Sequence, residues 1–499
     1  MIVKGPALAR NNESIVAELN KLLPRIASKD PSLWQSNDEA IRRMDWVDLP
    51  KASRQLLPQC DALAAWARSN GINEFILCGM GGSSLAAEVI SKKFNSSLQI
   101  IDSTQPQQIL DLIPNELAQT LIVFSSKSGT TIETLSHYKY FTKVFIDNGL
   151  DPKKHIVIIT DENSPLDTAG RSEGFKVLYA DPNIGGRFSA LTTFGLLPAT
   201  LVGADVSVIL DDAEKANIQL ALPNSAAVVI AAALYSLSDQ IVEFNDDNSK
   251  TPGLSDWIEQ LISESTGKDG KGRLPVVSNS QDTISKLLRV GFKDGEYDLV
   301  VEATLGEHFI LWQWVTVLLC LLLKVNPFDQ PNVLESKEKT KQILNQYELG
   351  VFKNQIPKFE SDEFLVYSNL DINRLDDFFD MHFGYIAVMA YLPSRRIADP
   401  LVIQRIISSR AKTPTTFGWG PRFLHSTGQI HKGGKANGGF IQITQEVQTD
   451  LDIPSEKFTF GQLISAQAIG DALSLAERDL PFIRIHLKNQ TSELSEILN

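Results

Sequence analysis

Cysteine is scarce: Cys60, Cys78 and Cys320 are the only three, and no two lie close together. Such a set can build neither a disulfide framework nor a cysteine-based zinc site, and a reducing, cytoplasmic compartment fits it best. Positive charge is also short. There are 60 acidic residues against 47 Lys and Arg, a net charge of -13, which disfavours duplex nucleic acid or an anionic membrane as a partner held by bulk electrostatics. A small anionic metabolite stays compatible, because one local pocket is enough to hold it. Long hydrophobic runs are missing too. The longest, FILWQWVTVLLCLLL (309–323), is interrupted by Gln313, falls short of the roughly 18–20 residues that cross a bilayer, and reads as a buried helix. The opening MIVKGPALARNNES has no apolar stretch of signal-peptide length, so no leader is expected. Histidine offers one near pair, His425 and His431, without a clear third ligand, and no metal is expected.

The rest of the composition is that of a folded chain. At roughly 150 residues per domain, 499 residues with 43% hydrophobic content should hold two to four domains, each with a core. From about residue 70, short β-branched runs alternate with amphipathic segments, the pattern of a parallel sheet covered by helices. Strands are predicted at EFILCG (74–79), LQIID (98–102), TLIVFSS (120–126), HIVIIT (155–160) and KVLYAD (176–181), with a helix over 83–94. A second α/β pass opens near Ala221 with an apolar helix, AAVVIAAALYSLSDQIVEF. It continues through strands at LPVVSN (274–279) and YDLVVEATLG (297–306) to the apolar helix at 309–323. From about 355, EFLVYSN, FGYIAVMAYLP and GGFIQIT suggest a third, smaller α/β unit. The expected division is an N-terminal helical arm (1–50), a first doubly wound domain (51–215), a second (216–353) and a C-terminal α/β unit (354–499).

Two strand-to-helix turns carry chemistry. Gly79-Met80-Gly81-Gly82-Ser83-Ser84 lets backbone approach a ligand closely and turns the free N–H groups of a helix N-terminus toward an anion. It departs from G-x-G-x-x-G and lacks the distant acidic residue of a dinucleotide site, so no organic cofactor is expected. Ser125-Ser126-Lys127-Ser128-Gly129-Thr130-Thr131 supplies five hydroxyls and an ammonium, a dense set of donors for phosphate oxygens. Glu133 beyond it has the position of a capping-box carboxylate. Two such turns in one sheet point to one phosphate at the carboxyl edge of the strands.

With these loops, the chain resembles the sugar isomerase (SIS) fold, and further motifs make it similar to the glucose-6-phosphate isomerase family. Gly185-Gly186-Arg187-Phe188-Ser189 looks like the family's GGR[YF]S. Glu264-Ser265-Thr266-Gly267-Lys268 looks like its ESNGK, and Asn326-Pro327-Phe328-Asp329-Gln330, with Lys337 beyond, resembles its FDQ motif. ESTGKDGKG, NPFDQPNV and GPRFLHSTGQIHKGG most resemble the isomerase half of bifunctional transaldolase/glucose-6-phosphate isomerase proteins. No segment of transaldolase size remains, so that activity is expected to be absent.

The resemblance implies reversible aldose–ketose isomerisation of glucose 6-phosphate and fructose 6-phosphate, without metal or organic cofactor. Glu264 would be the base that moves a proton between C1 and C2, and Arg187 would stabilise the enediolate. Gln260, four residues before Glu264 on one helical face, and Gln330 would contact substrate. Gly82, Ser83, Ser126, Lys127, Ser128 and Thr131 would hold the phosphate. Lys337 and a histidine would open the sugar ring, and Lys268 is a further basic candidate. The family's usual histidine site after the glutamate is empty of histidine here. His425, in Phe423-Leu424-His425-Ser426-Thr427-Gly428-Gln429, takes its place ahead of His308, with Gln429 and His431 as neighbours and His431 as a substitute. Other readings are a sugar-phosphate-sensing protein without catalysis, or an isomerase that also accepts mannose 6-phosphate. Relatives form dimers that share active-site residues, whereas a relocated histidine loop allows one chain to complete its own site.

Overall fold

The computed structural model describes all residues except 35–37, 279–286, 351–354, 398, 490–493 and 499. The chain opens with a short strand, β1 (Ile2–Lys4), and helix α1 (Glu13–Ala27), whose Asn12 cap accepts the Ser14 N–H. The expected helical arm therefore begins with a strand, one that closes the edge of a sheet built some 300 residues later. In the first sheet, β2 (Glu74–Gly79), β3 (Leu98–Ile101), β4 (Thr120–Ser125), β5 (Ile156–Thr160) and β6 (Lys176–Tyr179) are all parallel, in the order β3-β2-β4-β5-β6. Helices α2 (Leu85–Lys93) and α3 (Ile132–Asp147) follow β2 and β4. All six residues of β4 are buried, which is why it reads as a continuous apolar run rather than an alternating one.

The second sheet departs from expectation at its centre. The apolar helix α4 (Ala226–Tyr235) stops well before the end of the run read as helical, and Ile241–Asn245 forms an interior strand, β7. The polar SLSDQ between them gives no apolar face to continue the helix, while IVEF, β-branched and aromatic, suits a pleated surface. Then come α5 (Leu254–Thr266), β8 (Leu274–Val277), β9 (Leu288–Gly291), unanticipated, and β10 (Leu299–Glu302). The order is β1-β10-β9-β7-β8, with β1 antiparallel to β10 and the rest parallel. Helix α6 (Leu305–Leu323) opens with a capping box between Thr304 and Glu307 and is 89% buried over its most apolar window. Apolar on every side, it is the core helix of this half of the molecule. Helix α7 (Pro331–Glu348) follows.

The C-terminal unit is a six-stranded mixed sheet. Its strands are β11 (Phe359–Glu360), β12 (Phe364–Ser368), β13 (Tyr385–Ala390), β14 (Thr415–Trp419), β15 (Gly438–Gln445) and β16 (Phe482–Leu487), ordered β11-β12-β16-β15-β13-β14. Its helices include the short α8 (Gly428–Gly433) and the long α9 (Phe460–Ala476). One face of the sheet has a core of its own, where Ile386, Val388 and Ile485 lie under Phe378, Ile403 and Ile407 of the helices Leu375–Phe379 and Pro400–Ala411; the other face shares its core with the rest of the molecule. Phe460 and Leu463 of α9 pack with Ile76 and Phe124 of the first sheet and Phe141 of α3, and Phe440 and Phe482 pack with Ile241 and Leu274 of the second. The cleft between the sheets is therefore walled by all three parts.

Candidate active site

The two hydroxyl-rich turns leave β2 and β4, which are neighbours in the sheet. Chain order runs outward from β2 to β3 and, on the other side, from β4 to β5 and β6, so the helices following β2 and β4 diverge and a crevice opens between their turns. The glycine-rich turn is also where the remaining parts converge. A Cβ on Gly82 would lie 2.2 Å from the Gly186 carbonyl oxygen, and one on Gly81, whose φ is +54°, would lie 2.7 Å from Gln260 Nε2 and 2.8 Å from the His425 carbonyl oxygen. Only glycine permits that approach.

Hydroxyls tie the loops to one another. Ser125 Oγ donates to the Ser83 carbonyl at 2.9 Å, and Ser189 Oγ donates to the Gly82 carbonyl at 3.0 Å. Ser126 Oγ donates to Thr131 Oγ1 at 2.9 Å, and Ser128 Oγ lies 2.9 Å from Thr130 Oγ1. Lys127 is placed differently from the simple donor set expected of it. Its ammonium is engaged by Asp161 at 2.8 Å and by the Asp181 carbonyl at 2.7 Å. Lys268 is likewise committed, to Asp329 at 2.8 Å and to the Ser265 and Asn326 carbonyls.

Glu264 lies in the last turn of α5, not in a loop after it. In that turn Thr266 Oγ1 donates to the Ile262 carbonyl, and the helix ends at Gly267. Arg187, 5% exposed, donates through Nη2 to Glu264 Oε1 at 3.0 Å and to Gln330 Oε1, and through Nη1 to the Pro327 carbonyl. Gln260, one turn before Glu264, donates to Glu264 Oε2 at 3.1 Å and to the His425 carbonyl at 2.8 Å. His425 therefore stands two hydrogen bonds from Glu264 of the same chain.

The His425 ring leads to a residue misread from sequence. Glu133 makes no capping box, since Thr131 at the N-cap gives no side-chain cap. Instead the Glu133 carboxylate turns inward, where Oε1 lies 2.9 Å from His425 Nε2 and accepts from Gln467 Nε2 at 2.7 Å. Thr104 Oγ1 in turn donates to Gln467 Oε1 at 2.6 Å. Burial alone would push the Glu133 carboxyl up. The His425 ring, a backbone N–H and the Lys337 ammonium outweigh it and hold the group at about 2. An ionised carboxylate only accepts hydrogen bonds, so His425 Nε2 carries the proton in this contact. Thr131, Glu133, Lys337, His425 and Gln467 line one cleft of about 860 Å³. Arg187 and Glu264 are not among its lining residues; Gln260 links them to it.

The other histidines are differently placed. His308 is fully buried, edge-on to Phe292 at 5.1 Å, with both ring nitrogens unpartnered. Burial and the N-terminal ammonium push its pKa down to about 3. His431 Nδ1 lies 3.0 Å from the Tyr385 hydroxyl, inside the C-terminal unit. Gln429 is a brace: it donates to the Gly267 carbonyl at 2.8 Å and to Asn332 Oδ1 at 2.7 Å, and accepts the Asn332 N–H at 3.0 Å. It thus pins the histidine loop to the end of α5 and the start of α7. Sequence reasoning missed the inward role of Glu133, although TTIE directly after the hydroxyl loop was a signal. Gln467 gave none, being one amide in an apolar helix.

Two doubly wound α/β sheets, the first with hydroxyl-lined turns at its switch point, and an Arg187–Glu264 pair joined through Gln260 to the histidine loop beside those turns, define a protein of the sugar isomerase class. A sequence model of the family described as phosphoglucose isomerase matches residues 58–237. A probable glucose-6-phosphate isomerase of Natronomonas pharaonis is 31% identical over 315 residues, covering 59% of this chain and 71% of that protein. A glucose-6-phosphate isomerase of Thermus thermophilus is 32% identical over 238 residues, 45% of this chain and 56% of the enzyme. A probable glucose-6-phosphate isomerase of Haloarcula marismortui is 30% identical over 246 residues, 47% of this chain and 56% of that protein, so the match spans little more than half of these last two relatives. In three dimensions, a glucose-6-phosphate isomerase of Chlamydia trachomatis superimposes with a TM-score of 0.56 at 18% identity, over 68% of this chain and 86% of that one. The chain belongs to the glucose-6-phosphate isomerase family.

Proposed function

We propose that this chain interconverts glucose 6-phosphate and fructose 6-phosphate. The observation that carries the reading is the Gln260 amide, which joins the Arg187–Glu264 pair to the histidine loop beside the hydroxyl-rich turns. Ser83, Ser126, Ser128 and Thr131, with the N-termini of α2 and α3, receive the phosphate. His425, oriented by Glu133, and Lys337 handle the protons of ring opening at the ring oxygen and the C1 hydroxyl. Glu264 then moves the proton between C1 and C2. Its neighbour Arg187, held by Gln330 and backbone carbonyls, supplies fixed positive charge to the enediolate, a preorganised arrangement that needs no movement during the step. Gln260 and Gln330 meet sugar hydroxyls.

The test is conversion of glucose 6-phosphate to fructose 6-phosphate in a buffer containing a chelator; folded protein that gives none overturns the reading. Glu264→Gln should lower kcat by at least ~1,000-fold with KM within a few-fold of the parent, because it removes an interaction made only in the reaction step. Near-normal turnover would reject Glu264 as the base.

A further inference from the structure

A second cavity, of about 540 Å³, lies in the C-terminal unit between α7, α9 and the ends of β12, β15 and β16. Its wall holds Arg484, 5% exposed, on the strand β16. A buried guanidinium ordinarily has a carboxylate partner. Among the described residues Arg484 forms no ion pair with one. Its Nη2 donates to Gln355 Oε1, its Cζ stacks 4.4 Å over the Tyr367 ring, and Nη1 is buried without a hydrogen-bond partner. Burial pushes its pKa down to about 10, which leaves it charged at neutral pH.

Two more polar groups on the same wall are also left over. Gln445, 7% exposed, has both amide atoms buried and unpartnered, and the Tyr391 hydroxyl, on a residue 2% exposed, is buried and unpartnered as well. Among the described residues, one carboxylate lines the cavity, Glu446, and it is turned to His486 at 3.3 Å. Native proteins rarely leave several buried polar groups unpaired at one place. Here a cation, an amide and a hydroxyl share one cavity wall, with Ile464 and Ile469 supplying an apolar side.

We propose that this cavity is a second ligand site, for a small organic anion that sets one carboxylate or phosphate on Arg484 and hydrogen-bonds Gln445 and Tyr391. The volume suits a body up to the size of a mononucleotide. The site is separate from the isomerase cleft, since the two share no lining residue.

The experiment is calorimetric titration with three probes: inorganic phosphate, AMP and 4-hydroxybenzoate. Each is run on protein already saturated with fructose 6-phosphate, so that the other cleft is occupied. At least one probe should bind saturably, the phosphate and carboxylate probes separating the two head groups. Arg484→Met should weaken that binding at least ~10-fold, and Ala468→Phe, which fills the cavity from α9, should abolish it. Glucose 6-phosphate turnover without probe should be unchanged in both variants. Failure of all three probes to saturate, as expected if ordered water alone satisfies these groups, overturns the proposal, and so does equal binding by parent and both variants. Should the enzyme prove inactive, the loss of probe binding in the two variants still reads the site independently.

Discussion

The contact between Glu133 and His425 couples a buried charge to the candidate chemistry. Glu133 is held at about 2, below its ordinary 4.5, so it contributes to stability above about pH 4.5 and the contribution is lost as pH falls through about 2. The full amount is on the order of 3 kcal/mol. Glu133→Gln keeps the shape but removes the charge that fixes the imidazole. It should lower kcat ~10–100-fold with KM for fructose 6-phosphate little changed. It should also lower the urea midpoint at pH 7, with the difference from the parent shrinking below pH 4. A variant with unaltered kcat would show that Glu133 is structural only.

At the scale of elements, the close approach of loops and the carboxylates along α5 make the predictions. In Gly82→Ala the new methyl would meet the Gly186 carbonyl at 2.2 Å, and backbone on both sides leaves no flexible end to move. It should cost on the order of 2 kcal/mol or more and raise KM by separating the phosphate turn from the Arg187 loop, read by thermal melting and steady-state kinetics. Glu259 on α5 is the opposite of Glu133. Burial, then the Asp256 charge, pushes it up to about 8, against which Thr416 donates to Oε1 at 3.2 Å. A raised carboxyl weakens the fold as pH climbs from about 4.5 to 8, because the unfolded chain ionises first. Glu259→Gln should therefore raise the melting temperature at pH 7.5 by several degrees and leave it unchanged near pH 4.5; an equal effect at both values would reject the assignment.

At the scale of the molecule, shared cores make the three sheets one cooperative body. Calorimetry should give a single unfolding transition, and two resolved peaks would contradict the packing of α9 against the first sheet. Ending the chain at residue 353 removes His425 and Gln467 and uncovers Phe124 and Phe141, so that fragment should be inactive and prone to aggregate. Much was legible in the residues. The inner strands of the first sheet, β2, β4 and β5, buried on both faces, announce themselves as apolar runs bounded by turns, and the hydroxyl loops after β2 and β4 carry local chemistry that needs no partner to be recognised. The second sheet was less legible: β7 hid in the tail of an apolar helix, and β9 is four residues long. The sequence by itself determined the alternating α/β pattern, the two loops at its switch point and the motifs around Arg187 and Glu264, because each is written in contiguous residues. Only the tertiary structure decided that Glu133 faces His425 rather than its own helix end, that Lys127 is already paired, and that Gln260 ties Glu264 to the histidine loop. Those outcomes depend on which groups, 34 to 292 positions apart, share a buried space. In such a space each charge takes the partner that best offsets its desolvation, whatever its neighbours in the chain.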